Sequence, residues 1–96
     1  MALQECVPIT FTPAKRDATI RERGLDFLDA ATVFAGPSFS FIDQRVAYGE
    51  ERIVTVGLLA GRMMVVVWTP RGGQRHIISM RKANDRENAK YADILT

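Results

Sequence analysis

The segment Arg75-His76-Ile77-Ile78-Ser79-Met80-Arg81-Lys82 holds the densest set of groups able to do chemistry. It closes on a hydroxyl and two cations, just before a helix start near Asn84. A hydroxyl, two cations and the unpaired N–H groups of a helix start together describe a phosphate site. The competing reading is that Ser79 bonds a neighbouring backbone group while Arg81 and Lys82 extend into solvent. In a regular strand, Arg75, Ile77, Ser79 and Arg81 share one face and His76, Ile78 and Met80 the other. His76 is the only histidine in the chain, and the only side chain whose ordinary pKa suits proton transfer near neutrality. Strict alternation sets it opposite Ser79, so the two cannot pair without a bulge. A lone strand histidine is otherwise a partly buried structural residue.

Glu50-Glu51-Arg52 opens an apolar strand. Arg52 shares parity with Val54, Val56 and Leu58, at the edge of an apolar face. There it either meets a carboxylate or reaches into a groove and binds phosphate. Glu51 could be its partner only if the chain bends, because adjacent strand residues point opposite ways. Lys15 lies in the first turn of a helix, where a cation opposes the dipole; it either reaches an anion or is ordinary surface. Arg16, Arg21 and Arg23, with Asp17 and Glu22 interspersed, read as a solvated face. Cys6 has no local base and does not read as a nucleophile. Trp68, before Thr69 and Pro70, reads as core rather than as a base-stacking platform. Gly72-Gly73 is a hairpin turn, since the glycine spacing, Lys and Ser/Thr of a phosphate loop are absent.

These residues need elements to hold them. Val7, Ile9 and Phe11 alternate with polar or turn residues, and Pro8 restricts that stretch to an edge strand. Thr12-Pro13 reads as N-cap and first helical residue, with Gly24 ending the helix after Arg23. Asp26, with Asp29 three residues on, caps a second helix whose buried stripe is Phe27, Ala30, Ala31 and Phe34. Gly36-Pro37 ends it. Phe39 and Phe41 mark a short strand, and a polar loop runs from Gln44 to Glu51. Ile53 to Leu59 and Arg62 to Thr69 form a hairpin about Ala60-Gly61, and Gln74 to Met80 returns after a turn from Pro70 to Gly73. The run Met63 to Trp68 has no polar alternation, which predicts a strand covered on both faces. Asn84 with Glu87 predicts a capping box for a last helix through about Ile94. The order predicts an α+β fold: a curved antiparallel sheet of three to five strands, two N-terminal helices and one C-terminal helix.

Composition narrows the function classes. The 96 residues, 47% hydrophobic and 25% charged, suit one small globular domain over residues 1–96. No apolar run is long enough to span a bilayer, and no leader is evident. One Cys and one His leave no disulfide framework and no usual zinc set, which fits a cytoplasmic protein without cofactor or metal. From Arg62 to Lys90, seven basic residues face two acidic ones, a net +5 that leaves −3 for the rest of a +2 chain. That asymmetry is either an anion-binding surface, with nucleic acid the common ligand, or a solvated face.

Several of these stretches, taken in order, resemble one family. They are Phe11-Thr12-Pro13-Ala14-Lys15, Arg23-Gly24-Leu25-Asp26-Phe27 and Ala30-Ala31-Thr32-Val33-Phe34, then Glu50-Glu51-Arg52 with Val56-Gly57-Leu58. Val65-Val66-Val67-Trp68-Thr69 and Ile77-Ile78-Ser79-Met80-Arg81-Lys82-Ala83, with Glu87 and Tyr91 beyond, complete the set. Together they resemble the BrnT toxins over about Ile9 to Tyr91. The resemblance implies a RelE-like fold, metal-independent ribonuclease activity that inhibits translation and growth, and a cognate BrnA-type antitoxin. It also implies repression of the shared promoter, with DNA contacted mainly through the antitoxin, and no membrane. Lys15, Glu51, Arg52, Thr69, Ser79 and Arg81 match the family. The chain departs from it at Phe11-Thr12, where the family usually has Trp-Asp, at Arg23 for His, and at His76 for Arg.

On that resemblance the expected reaction is attack of a ribose 2′-hydroxyl on the adjacent phosphate. Arg52 and Arg81 are the expected charge stabilisers and Ser79 positions the phosphate. Lys15, Lys82 and Thr69 are further RNA contacts, and proton transfer falls to His76 or Glu51, between which parity does not decide. The rival reading is a noncatalytic basic domain that binds nucleic acid or an acidic partner; a third is a small structural subunit.

Overall fold

The structure, a computed structural model, describes residues 7–44 and 49–95. Cys6 and the middle of the expected polar loop lie outside the described residues. The elements run β1 Ile9–Phe11, α1 Pro13–Arg23, a 3-10 turn Phe27–Asp29, α2 Ala30–Ala35, β2 Ser38–Ile42, β3 Ile53–Leu59, β4 Arg62–Arg71, β5 Gln74–Lys82 and α3 Asp85–Leu95. They build a five-stranded sheet in the order β1-β5-β4-β3-β2. The expected antiparallel sheet is in fact mixed: β2 to β5 pair antiparallel, but β1 pairs parallel with β5, Ile9 to Phe11 against Arg75 to Ile77. Two segments more than sixty residues apart make that pair, so no local signal carries its direction.

Local signals set most of the element ends. Pro13 opens α1, whose first turn bonds back to the Thr12 carbonyl; the Thr12 side chain makes no cap bond. Gly24, at φ 68°, closes α1 in the left-handed region that glycine adopts without strain. The Asp26 carboxylate accepts from the Leu28 N–H at 3.0 Å and starts the 3-10 turn. The capping box before α3 forms in full: Glu87 N–H donates to Asn84 Oδ1 at 2.8 Å, and Asn84 N–H to Glu87 Oε1 at 2.9 Å. β4 runs through Pro70 to Arg71, so the second hairpin turn is only Gly72-Gly73, both at positive φ.

The central strands are covered on both faces, as the unbroken apolar run of β4 implies. On the first face, Phe27, Ala30 and Val33 pack on Met64, Val66, Ile77 and Met80, with Phe34 and Trp68 at the margin. The expected stripe is therefore corrected at one position: Ala31 is exposed and Val33 is buried. Gly57 allows α2 to lie this close, since a Cβ there would stand 2.7 Å from Val33 Cγ1 and 3.0 Å from Ser38 Cβ. On the second face, Tyr91 and Leu95 of α3 pack on Val54, Val56, Met63 and Val65. α1 has no fully buried residue; it packs against β5 beyond the end of β1. There Arg23 Nη1 donates to the Met80 carbonyl at 3.0 Å.

One irregularity repositions the motif. Val67 pairs with Ser79 and Trp68 with Ile77, so Ile78 is an extra residue in β5. This bulge reverses the alternation beyond it. Ile77 and Met80, three residues apart, are therefore both fully buried in the same core. The expected faces are corrected accordingly: Arg75 and Ile77 share the first face with Met80, while His76 joins Ser79 and Arg81 on the second.

Candidate active site

α3 covers only part of the second face. Toward the other end of the same strands the apolar positions give way to polar ones. Arg52 continues the alternation of Val54 and Val56 one step before β3, and its carbonyl accepts from the Asp43 N–H at 2.9 Å. Thr69, His76 and Ser79 stand beside it on β4 and β5 through the register Thr69 to His76 and Val67 to Ser79.

A groove of about 370 Å³ opens at this end, lined by Lys15, Ala18, Thr19, Glu22, Arg23, Arg52, Ile78 and Ser79. The five α1 residues fall at the three- and four-residue spacings of one helical face. Arg23, read from sequence as part of a solvated stripe, thus joins the groove wall. Arg16 turns away and holds Asp26 with two 2.8 Å bonds. The groove gathers three cations, Lys15, Arg23 and Arg52, against one carboxylate, Glu22. Arg52 is half-buried with its Nε enclosed, so its charge acts in a poorly solvated setting where electrostatic effects are strong.

His76 is not among the residues that line this groove; it lies on the same sheet face, paired with Thr69. Its Nδ1 lies 2.9 Å from Thr10 Oγ1, its partner in the parallel β1–β5 pairing. Partial burial lowers its pKa below 6.5, and the Arg71 and Lys15 charges push the same way while Glu50 opposes them. The ring is accordingly neutral at pH 7. Glu50 itself accepts from Arg71 at 2.8 Å and 3.3 Å, and those bonds hold its carboxyl below the ordinary range.

The remaining sequence candidates divide. Arg81 lies on the same face toward α3, where Nη1 and Nη2 bind Glu87 at 2.7 Å and 2.8 Å. That bidentate pair, with the Asn84 N–H, depresses the Glu87 carboxyl to about 2. Thr69 is fully buried, and its hydroxyl donates to the Glu51 carbonyl at 2.6 Å; it fastens the segment before Arg52 and does not reach the groove. Glu51 is exposed and outside the groove lining. Lys82 falls on the first face with Met64 and lines a separate hollow with Arg62 and Asn88. Trp68 belongs to the core margin, its indole N–H donating to Thr55 Oγ1 at 2.8 Å.

The basic excess of the C-terminal third does not form one surface. Arg71 pairs with Glu50 and Arg81 with Glu87, Arg75 stacks 4.2 Å from the Phe34 ring centre, and Lys82 lies elsewhere. The groove's cations come instead from α1 and from Arg52, just before β3. Sequence reasoning missed Thr10, Arg23, Glu50 and Arg71. Only Arg23 carried a readable signal, its helical spacing from Lys15 and Thr19.

Among the described residues no helix is long and apolar enough to cross a membrane, and no three His, Cys, Asp or Glu side chains group as metal ligands. A comparison with curated proteins finds no match. A family model described as ribonuclease toxin, BrnT, of type II toxin-antitoxin system matches residues 11–87. That span runs from the end of β1 through the groove residues of α1, Arg52 and β5 to the Glu87 that holds Arg81, and the chain belongs to the BrnT family of ribonuclease toxins.

Proposed function

We propose that this chain is a metal-independent endoribonuclease whose active site is the open end of the second sheet face. The observation that carries this reading is the β5 bulge at Ile78, which sets His76 on the face of Ser79, and Ser79 lines the groove with Arg52 and Lys15. Arg52 stabilises the charge that builds on the phosphoryl oxygens, in the enclosed setting where a fixed cation is most effective. Lys15 and Arg23 hold neighbouring phosphates, and Ser79 orients the scissile one. His76, neutral at pH 7, accepts the 2′-hydroxyl proton. The 2′-oxygen attacks phosphorus, a P–O2′ bond forms and the P–O5′ bond breaks. The departing 5′-oxygen takes a proton from water, leaving a cyclic phosphate and a 5′-hydroxyl. Arg81, oriented by Glu87, contributes a flanking contact rather than the main charge.

The same reading makes the chain a single RelE-like domain that works in the cytoplasm and inhibits translation. Its antitoxin is of the BrnA type and laps an anionic or extended segment over the groove, blocking RNA sterically and by charge. Promoter DNA is then contacted mainly through the antitoxin. Induced expression tests the reading against a noncatalytic binding role, with growth and total-RNA integrity followed for the wild type and for Ser79→Ala and Arg52→Ala. The expected result is arrest with RNA loss in the wild type, relieved in both variants. Intact RNA with folded wild-type protein overturns it.

A further inference from the structure

We infer that Thr10 is a positioning residue for His76, fixing the imidazole as the tautomer with hydrogen on Nδ1 and a lone pair on Nε2. The inference rests on the active-site reading above and deepens it. It concerns a residue before the start of the family match and a contact made by the parallel β1–β5 pairing.

A neutral imidazole has one donor and one acceptor nitrogen, and the partner of one decides what the other can do. Thr10 Oγ1 stands 2.9 Å from Nδ1, and the cross-strand register Thr10 to His76 fixes both side chains on one side of the sheet. With Nδ1 occupied, Nε2 is the nitrogen left for substrate. A proton acceptor needs its lone pair there, so Nδ1–H must donate to the threonine hydroxyl. Thr10 is β-branched on an extended strand, which restricts its rotamers and holds the oxygen in place.

The charged surroundings favour the neutral ring rather than a particular tautomer. Lys15 approaches from α1, Arg71 from β4 and Glu50 from the segment before β3, with Arg52 beside Glu50. On β5 itself, Arg75 lies on the opposite face and Arg81 is held by Glu87. Among these charged residues, none is hydrogen-bonded to Nδ1; the Thr10 contact alone distinguishes the two ring nitrogens.

The chain has one histidine, so its ring nitrogen signals are assigned without ambiguity. The test measures 15N ring shifts and RNA cleavage from pH 5 to 8 for the full-length wild type, Thr10→Val, Thr10→Ser and His76→Ala. The wild-type ring is expected in the Nδ1–H form. Thr10→Val should mix the tautomers and lower kcat roughly tenfold, part of the 10²–10⁴ that acid–base catalysis supplies, with KM little changed. Thr10→Ser should restore both. A wild-type ring in the Nε2–H form overturns the inference without any variant needing to fold. So does Thr10→Val with wild-type kcat beside an inactive His76→Ala. Undiminished cleavage by His76→Ala overturns instead the assignment of His76 as the base, and the positioning role with it.

Discussion

The second face of the sheet is two surfaces on the same strands. Under α3 the positions Val54, Val56, Met63 and Val65 are buried against Tyr91 and Leu95. A few residues along, Arg52 and Ser79 line an open groove, and the Ile78 bulge puts His76 on the same face. Covered positions contribute to folding through area removed from water. The open positions place an enclosed guanidinium and a partly buried imidazole on one face with Thr69 between them, an arrangement that costs desolvation and adds little to the core. That contrast is the ground for the proposed site: residues needed for packing lie at one end, residues that packing alone does not explain at the other.

Substitutions at the two ends should therefore separate activity from stability. The largest expected effect is Arg52→Ala, a loss of about 10²–10³ in cleavage rate by comparison with removal of one oxyanion donor, with little change in the unfolding midpoint. Kinetics beside a denaturant melt checks it, and a variant that cleaves normally would break the contrast. Val56→Ala, at the covered end and 1% exposed, should do the reverse. It is expected to cost about 2 kcal/mol from lost burial and residual cavity, with kcat of the folded fraction unchanged.

A smaller effect is expected at the boundary, where the capping box of α3 and the Arg81–Glu87 pair meet. Asn84→Ala removes the acceptor for the Glu87 N–H and should cost about 1 kcal/mol, read from the denaturation midpoint. Cleavage should fall only slightly, because Arg81 keeps its carboxylate partner. A large activity loss would move the site's edge into α3.

Acid should expose the boundary without any mutation. Glu87, held down mainly by the Arg81 hydrogen bonds, and Asp26, held down mainly by Arg16, both titrate near 2 in the fold. Their unfolded values are the higher ordinary ones, so the unfolded chain binds protons first. The stability they contribute is present above about pH 4.5 and is lost progressively as pH falls toward 2. His76 acts in the same direction over a higher window, because its folded pKa lies below 6.5 and protonation there favours the unfolded chain. Thermal melts at stepped pH should show a shallow decline below 6.5 and a steeper one below 4.5. Stability that rises on acidification contradicts these assignments.

How much of this was legible in the sequence depended on range. Pro13, Gly24, Ala60-Gly61, Gly72-Gly73 and the Asn84/Glu87 box act through bonds within a few residues, and they set the ends of α1, the hairpins and α3. The double cover of β4 was legible from its unbroken apolar run. The parallel direction of β1 was not, because its partner strand lies more than sixty residues away. Nor was the Ile78 bulge, since Ile77-Ile78-Ser79 fits a regular strand equally well. That one extra residue changed the candidate site most, turning His76 from the wrong face to the face of Ser79. Long-range contacts likewise decided which cations matter: Arg81 and Arg71 are held by carboxylates that sequence spacing did not assign to them as partners, whereas Arg23 faces the groove.

The central claim, that RNA occupies the open end of the second face, is tested most directly by NMR titration with a short RNA. The 2′-hydroxyls of that RNA would be methylated, so that it binds without being cleaved. The account predicts shifts concentrated at Lys15, Thr19, Arg23, Arg52, His76 and Ser79, with Tyr91 and Leu95 little affected. Shifts centred instead on Arg62, Lys82 and Asn88, or spread evenly over the surface, would contradict it.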